Sequence, residues 1–411
     1  MSAATLPTKS GNFPVLSDLA IRLVQVLQDP DKSYLHAWEV IKEMAQDMHS
    51  QTAIGVDGIL SDDVPVADSM FQLLHTIHPF VLRSVCMGTV AYDFHDEFSE
   101  HWKTAHNDHG PGAYAVSIAI QNRDGKFLTP VEITQLIRLL NRYAAGCSAW
   151  KALDDHYGTS QLNMQQASDL NFVNNVDKQY KPDPSVEAQA TRECNVASDT
   201  EDSQSQSQKV LEPRFGKGEN MSRNIQSVIS MFQRRLIDGA NPNEPQMQSP
   251  LVIGNSNDLQ NRKQVYRPEA KRLHSAPSIY GLVISCIKAM GLRPREVFVP
   301  FTKAWTVKQI NQGEILGTVI GSSMVGVAGL NVYPPGYKGS YWLPTAAILE
   351  ETQLAVHRRE WPLENTRRTL ETQDRHKFKA LQQAASLTYE ELSEHFSGSE
   401  ANNTAEGLGN A

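Results

Sequence analysis

The order of apolar and polar positions divides the chain into a periodic first third, a polar middle and a periodic last third. Residues 15–29, VLSDLAIRLVQVLQD, place Leu16, Leu19, Leu23, Val26 and Leu27 at helical spacing, which predicts a helix ended by Pro30. A second helix is predicted over 32–49, with Leu35, Trp38, Ile41, Ala45 and Met48 inward, and a third over 66–77, stopping before Pro79. Residues 81–98 pass from apolar to acidic without a clear period. Residues 113–121, AYAVSIAIQ, alternate and run into NRDG, which predicts a strand and a tight turn. Thr129-Pro130-Val131-Glu132 reads as a capping box with proline at the first helical position. The helix it opens buries Ile133, Leu136, Ile137 and Leu140 and turns Arg138 and Arg142 outward.

From about Gly158 to Arg272 asparagine, glutamine, serine and aspartate dominate, and SDTEDSQSQSQK (198–209) is low in complexity. Such a composition buries too little apolar surface to offset ordering entropy, so most of this stretch is expected to be disordered linker. One island breaks the pattern. In 224–237, NIQSVISMFQRRLI, Ile225, Val228, Ile229, Phe232 and Leu236 share a helical face.

Periodicity returns at Ser275, which is placed to cap a helix with Pro277 in its first turn and Gly291 as its stop. Ile279, Leu282, Val283, Cys286 and Met290 form its buried stripe. The following LRPREVFVPF is bracketed by Pro294 and Pro300, which favours a short strand or extended connector over Val297–Val299. Phe301 and Trp305 lie four apart, on one face if a helix starts near Thr302. Beyond Pro344, helices are expected over 345–359, around Ile348, Leu349 and Leu354, and over 370–396, around Phe378, Leu381 and Leu392. Residues 397–411 read as a frayed tail.

The fold class expected is α+β and predominantly helical, with two ordered regions separated by a disordered polar middle. The boundaries are a helix-rich N-terminal domain over 1–157, a linker over 158–272, and a C-terminal domain over 273–396. Apolar positions left over in each half suit packing of one half on the other.

Composition narrows the function classes. The net charge is −8, so no global field for nucleic acid is expected. Cys86, Cys147, Cys194 and Cys286 are far apart, form no CxxC pair, and suit buried thiols in a reducing compartment. The N-terminus carries no basic-then-apolar signal pattern. Residues 315–337 hold no charge, yet they are rich in glycine and end near Pro334-Pro335, so a buried core segment is expected and no membrane span.

Three patterns invite chemistry. His95, His101, His106 and His109, with Asp93, Asp96 and Asp108 among them, supply ligand types for a transition metal. Their spacing matches no named motif, and HExxH is absent, so a solvated loop is the simpler expectation and a metal-dependent enzyme the alternative. Gly317, Gly321, Gly326 and Gly329 fit neither phosphate-loop pattern, and Gly321-Ser322-Ser323 is no nucleophile elbow; close backbone packing explains the glycines better. Basic residues gather at Arg262, Lys263, Arg267, Lys271 and Arg272 and continue through Lys288, Arg293, Arg295, Lys303 and Lys308. Nuclear import, phosphate contact by a DNA-binding regulator and an ordinary solvated face all stay open there.

The run KAMGLRPREVFVPFTKAW resembles the core of the PPF domain, formerly called HPG, with Pro294, Pro300 and Phe301 in the places of the naming residues. That domain marks a class of mating-type-locus proteins of filamentous ascomycete fungi, which includes the sporulation minus regulator. The resemblance implies a regulator of sexual development after fertilisation, serving fruiting-body and ascospore formation, with no enzymatic activity and no cofactor. It implies partners among other mating-type or developmental regulatory proteins, in nucleus or cytoplasm. The contact surface expected from it surrounds Pro294, Pro300, Phe301 and Trp305. No alpha-box or HMG-box pattern accompanies it.

Overall fold

The computed structural model describes residues 8–52, 56–60, 64–155, 162–178, 212–216, 220–269, 276–336 and 343–386. In chain order the elements are α1 (Asp18–Gln28), α2 (Tyr34–Thr52), α3 (Asp57–Leu60), α4 (Val64–His75), α5 (Pro79–Met87), α6 (Val90–Asp93), β1 (Gly112–Ile120), α7 (Pro130–Asp155) and α8 (Met164–Lys178). There follow α9 (Met221–Gln233), β2 (Leu251–Ser256), α10 (Leu259–Val265), α11 (Ser278–Ala289), β3 (Pro294–Lys303), α12 (Val307–Ile320), α13 (Ala346–His357) and α14 (Glu360–Ser386). The protein is mostly helical around a small antiparallel sheet of order β2-β1-β3.

Local signals explain many of the boundaries. The Ser17 side chain accepts from the Ala20 amide and starts α1. Thr129 and Glu132 exchange side-chain bonds with each other's amides at 2.9 and 3.2 Å, and Arg123 grips both Glu132 oxygens at 2.7 Å, so the expected capping box opens α7. The NRDG turn after β1 is met by Asn122, Asp124 and Gly125, all at positive φ. The ambiguous 81–98 stretch falls largely into α5 and α6, parted by Gly88 at φ 66°.

The sheet sets the architecture. β1 is buried along its whole length, and its side chains alternate between two cores. Ala113, Ala115 and Ala119 face one side, with Leu251 and Ile253 from β2 and Val297, Val299 and Phe301 from β3. Against these small residues lies α12, backed by α1, α2, α4 and α5. Tyr114, Val116, Ile118 and Ile120 face the other side and share a core with α7, α8, α9 and α11. The result is helix, sheet and helix in three layers.

Of the glycines expected to serve packing, Gly317 and Gly321 do so, joined by Gly313 on α12, whereas Gly326 meets only Thr52 Cγ2 at 3.7 Å. A methyl on Gly313 would meet Thr302 Oγ1 at 2.7 Å and Ala113 Cβ at 3.1 Å, and one on Gly317 would overlap the Phe301 ring. Gly321 continues the row against Leu251 and Val85 at 3.1 and 3.2 Å. A face of glycine every fourth residue lets this helix rest on the sheet backbone. Residues 315–320 of the charge-free segment therefore finish a packed helix, and no described helix is long and apolar enough to cross a membrane.

Four expectations need correction. Residues 158–272 include α8, α9, β2 and α10, so the described part of the expected linker is ordered. Its polar average conceals short apolar clusters such as Leu251-Val252-Ile253, and the 224–237 island becomes α9, with Ile225, Val228, Ile229 and Phe232 buried. The low-complexity segment 198–209, Ser275 and the tail 397–411 lie outside the described residues. Strands from all three stretches meet in one sheet, in which β1 of 1–157 pairs directly with β3 of 273–396 and, on its other side, with β2 of the expected linker. Thr302 and Lys303 belong to β3, and the following helix begins at Val307 behind the Thr306–Gln309 capping box. The last helix starts at Glu360 instead of 370, and its described part ends at Ser386.

Candidate functional site

The Pro294–Trp305 segment is assembled as an edge strand and the bend that follows it. Among the described residues β3 pairs only with β1, so a proline within it removes no ladder donor that a central strand would need. Pro294 pairs with Ile120 at one end. Near the other, Pro300 opposes Tyr114 and Thr302 opposes Ala113, which leaves Phe301 as the extra residue of a bulge. The Pro300 carbonyl accepts from the His106 amide at 3.2 Å. Pro294, Pro300 and Phe301 are all buried, and Phe301 fills the space beneath Gly317. These three residues shape the strand and the core. Trp305 is half-buried; its amide donates to Gln309 Oε1 at 3.0 Å and its ring lies 6.3 Å from that of His357.

Each end of β3 opens into a cleft. At the Pro294 end, Arg295 bridges to the His95 carbonyl at 3.1 Å and to Glu97 at 2.5 Å, beside a cleft of about 630 Å³ that Phe98 also lines. Phe98 is 94% exposed. At the other end Lys303 lies at the base of a cleft of about 610 Å³, whose walls include Asn107, Asn257, Gln260, Asn261 and Thr352. Its ammonium donates to the His109 carbonyl, and burial lowers its pKa to about 8 despite the opposing pull of Asp108.

The histidines are brought to separate tasks. His95 and His101 use Nδ1 on the carbonyls of Tyr92 and Asp93, at 2.8 and 2.9 Å. His101 also lies against Phe80, with ring centres 4.3 Å apart. His106 is buried with Nε2 3.0 Å from the Thr76 carbonyl, and desolvation, helped by Lys303, drops its pKa to about 3. His109 contributes its carbonyl to Lys303. Among the described residues no group of three or more His, Cys, Asp or Glu side chains is placed to hold a metal ion.

The basic run is likewise committed within the chain. Arg262 donates Nε to the Tyr114 hydroxyl at 2.8 Å and Nη2 to the Tyr266 hydroxyl at 3.3 Å, and the two hydroxyls lie 3.0 Å apart. Those phenols hold the guanidinium firmly protonated against the cost of its burial. Lys263 pairs with Asp108 at 3.3 Å, Arg267 with Glu296 at 3.8 Å, and Lys288 with the Pro268 carbonyl. Lys271 and Arg272 lie outside the described residues. Arg262, Lys263, Arg267 and Lys288 thus act as internal braces, while Arg293 and Lys308 are exposed.

A different surface stands out, on α14. Toward the body this helix is polar: Asn365 donates to the carbonyls of His75 and Ile77, Thr369 meets His75 Nε2 at 2.9 Å, and Arg368 spans the carbonyls of Asp29, Pro30 and Lys32. Away from the body it exposes an apolar row, Leu363 77%, Leu370 54%, Phe378 61% and Leu381 69% exposed, set among the charged Arg367, Asp374 and Lys377. From Asp374 onward every side chain described is exposed. Sequence reading misses this surface, because starting the helix at 370 drops Leu363 and an apolar row is ordinarily assigned to the core. The seven-residue step from Leu363 to Leu370 was the available signal.

Comparison with family models, curated proteins and solved structures finds no match to this chain.

Proposed function

We propose that this protein is a regulator of fungal sexual development that acts after fertilisation, without catalysis, by binding other proteins. The developmental part of the reading rests on the PPF-like run KAMGLRPREVFVPFTKAW. The mode of action rests on one observation: α14 turns its polar side to the body and its leucines and Phe378 to the outside. An exposed apolar row rimmed by charge is the usual mark of a surface that another protein covers. The reading assigns Pro294, Pro300 and Phe301 to building the fold, with contact at α14 and with Trp305 at most at a margin. The metal-enzyme alternative finds its histidines in separate hydrogen bonds, and the DNA-binding alternative finds Arg262 and Lys263 already engaged.

Deletion of the gene in its fungus, followed by crosses scored for fertilisation, fruiting bodies and ascospores, tests the biological claim. Normal vegetative growth with arrest after fertilisation is expected. Full fertility would reject it. Complementation by Leu370→Asp then separates the two parts, since the contact reading expects this variant to fold normally and fail to restore ascospores.

A further inference from the structure

We infer that the partner of the α14 face is the same face of a second copy of this chain, the two helices crossing antiparallel about a two-fold axis near Leu370. This rests on the reading of α14 as a contact surface and names what covers it.

The arrangement follows from spacing and charge. At 100° per residue, Leu363, Leu370 and Leu381 fall within about 20° of one line along the helix, and Phe378 lies about 60° to one side. Glu364 and Arg375 are eleven residues apart, close to three turns, so they share that same flank of the row. An antiparallel pair places like flanks opposite each other. Glu364 then faces Arg375 of the second copy, Arg375 faces the second copy's Glu364, and the midpoint of the two positions falls beside Leu370. With Leu370 meeting its own counterpart on the axis, Leu363 comes level with position 377 of the other helix, one residue short of Phe378. Every contact is made twice, as a two-fold interface requires. The charge distribution agrees: the first half of α14 carries Glu360, Glu364 and Glu371 against Arg367 and Arg368, and the second carries Arg375, Lys377 and Lys379 against Asp374 alone. Parallel pairing sets the basic halves side by side; antiparallel pairing sets basic against acidic.

The body leaves room for it. α14 touches α2 and α4 through the side opposite the leucines, so a second helix can lie on the leucine side without displacing any described element. The residues after Asp374 are exposed on every side, and an isolated helix of that length is marginal in water. The second copy's helix covers one face of this projecting end while its own body stays on the far side.

The test is the oligomeric state of the full chain by sedimentation velocity between 1 and about 100 µM, a range that covers weak to moderate dimers. A dimer is expected. Leu370→Asp with Leu381→Asp should give a monomer with unchanged circular dichroism and melting temperature, since both side chains are exposed in the single chain. Arg375→Glu should weaken the dimer roughly tenfold, and adding Glu364→Arg should restore it, because the two changes together re-create both pairs. Leu370→Cys should cross-link to itself under mild oxidation while Leu363→Cys should not; self-cross-linking at both positions implies parallel helices and overturns the antiparallel arrangement. A monomer at every concentration, a dimer indifferent to the aspartates, or a charge swap that restores nothing overturns the proposal. None of these results bears on the crosses, so a fertile deletion strain and a monomeric protein are separate failures.

Discussion

At the residue scale the most informative side chains are those buried with a charge or a proton to lose. His106 sits neutral in the core with its pKa near 3, against an ordinary value of 6.5. Its depressed value makes the unfolded chain the better proton binder between those limits, so the stability it contributes is complete above pH 6.5 and is lost as pH falls toward 3. Urea unfolding of wild type and His106→Asn at pH 7 and pH 5 should show a smaller acid loss in the variant. Lys303 has the same sign at the alkaline end. Its pKa of about 8 stands below the ordinary 10.5, so the folded state is relieved of a buried charge as pH rises from 8 to 10.5. Lys303→Met should therefore melt no lower than wild type at pH 7, and the gap between the two should shrink above pH 8. Neither group was legible as buried from the sequence. A histidine among aspartates and a lysine among basic residues both look solvated until the Thr76 carbonyl and the His109 carbonyl are seen to reach them.

At the element scale, α12 is the piece that decides how the layers meet. Gly317→Ala adds a helix-favouring methyl, which in an open helix gains about 1 kcal/mol. Here the methyl overlaps Phe301 and presses on Ile253, and overpacking of this kind costs about 1–3 kcal/mol, so net destabilisation is expected in chemical denaturation. Gly326→Ala is the control, since its nearest neighbour is Thr52 Cγ2 at 3.7 Å and little change is expected. Elements whose cause is local were readable in advance: the Thr129–Glu132 capping box, the NRDG turn and the glycine row all declare themselves within a few residues. The start of α12 was missed because Phe301 and Trp305, four apart, imitate a helical face, while Thr306 and Gln309 carry the true start. Thr306→Ala should cost about 1 kcal/mol, measured as a shift in the denaturation midpoint. On α14 the helix itself was legible but its orientation was not, because periodicity locates an apolar row without saying which way it turns.

On the scale of the whole molecule, β1 binds the two halves of the chain into one body. It is the central strand, buried on both faces, and one of its neighbours comes from late in the polar middle and the other from beyond it. A fragment ending at residue 157 keeps α1–α7 but loses both strand partners and the glycine-faced helix, so it should not fold alone. Circular dichroism and amide-proton dispersion of that fragment are expected to be those of an unfolded or loosely collapsed chain, and co-expression with 158–411 should recover the native spectrum. Pairing across such separations leaves no local trace, which is why two domains and a linker were the natural expectation from composition.

The same placement of β1 has a consequence for biogenesis. Ile118 waits for Ser249, 131 positions later, and Ala113 for Thr302, 189 positions later. At synthesis rates of about 5–20 residues per second, the strand leaves the ribosome roughly 7–40 seconds before its partners exist. Throughout that interval the nascent chain carries an apolar segment with two unpaired edges, a species prone to stick to its neighbours on a polysome. Yield in a heterologous host should therefore be limited by chaperone capacity during translation more than by the stability of the finished fold.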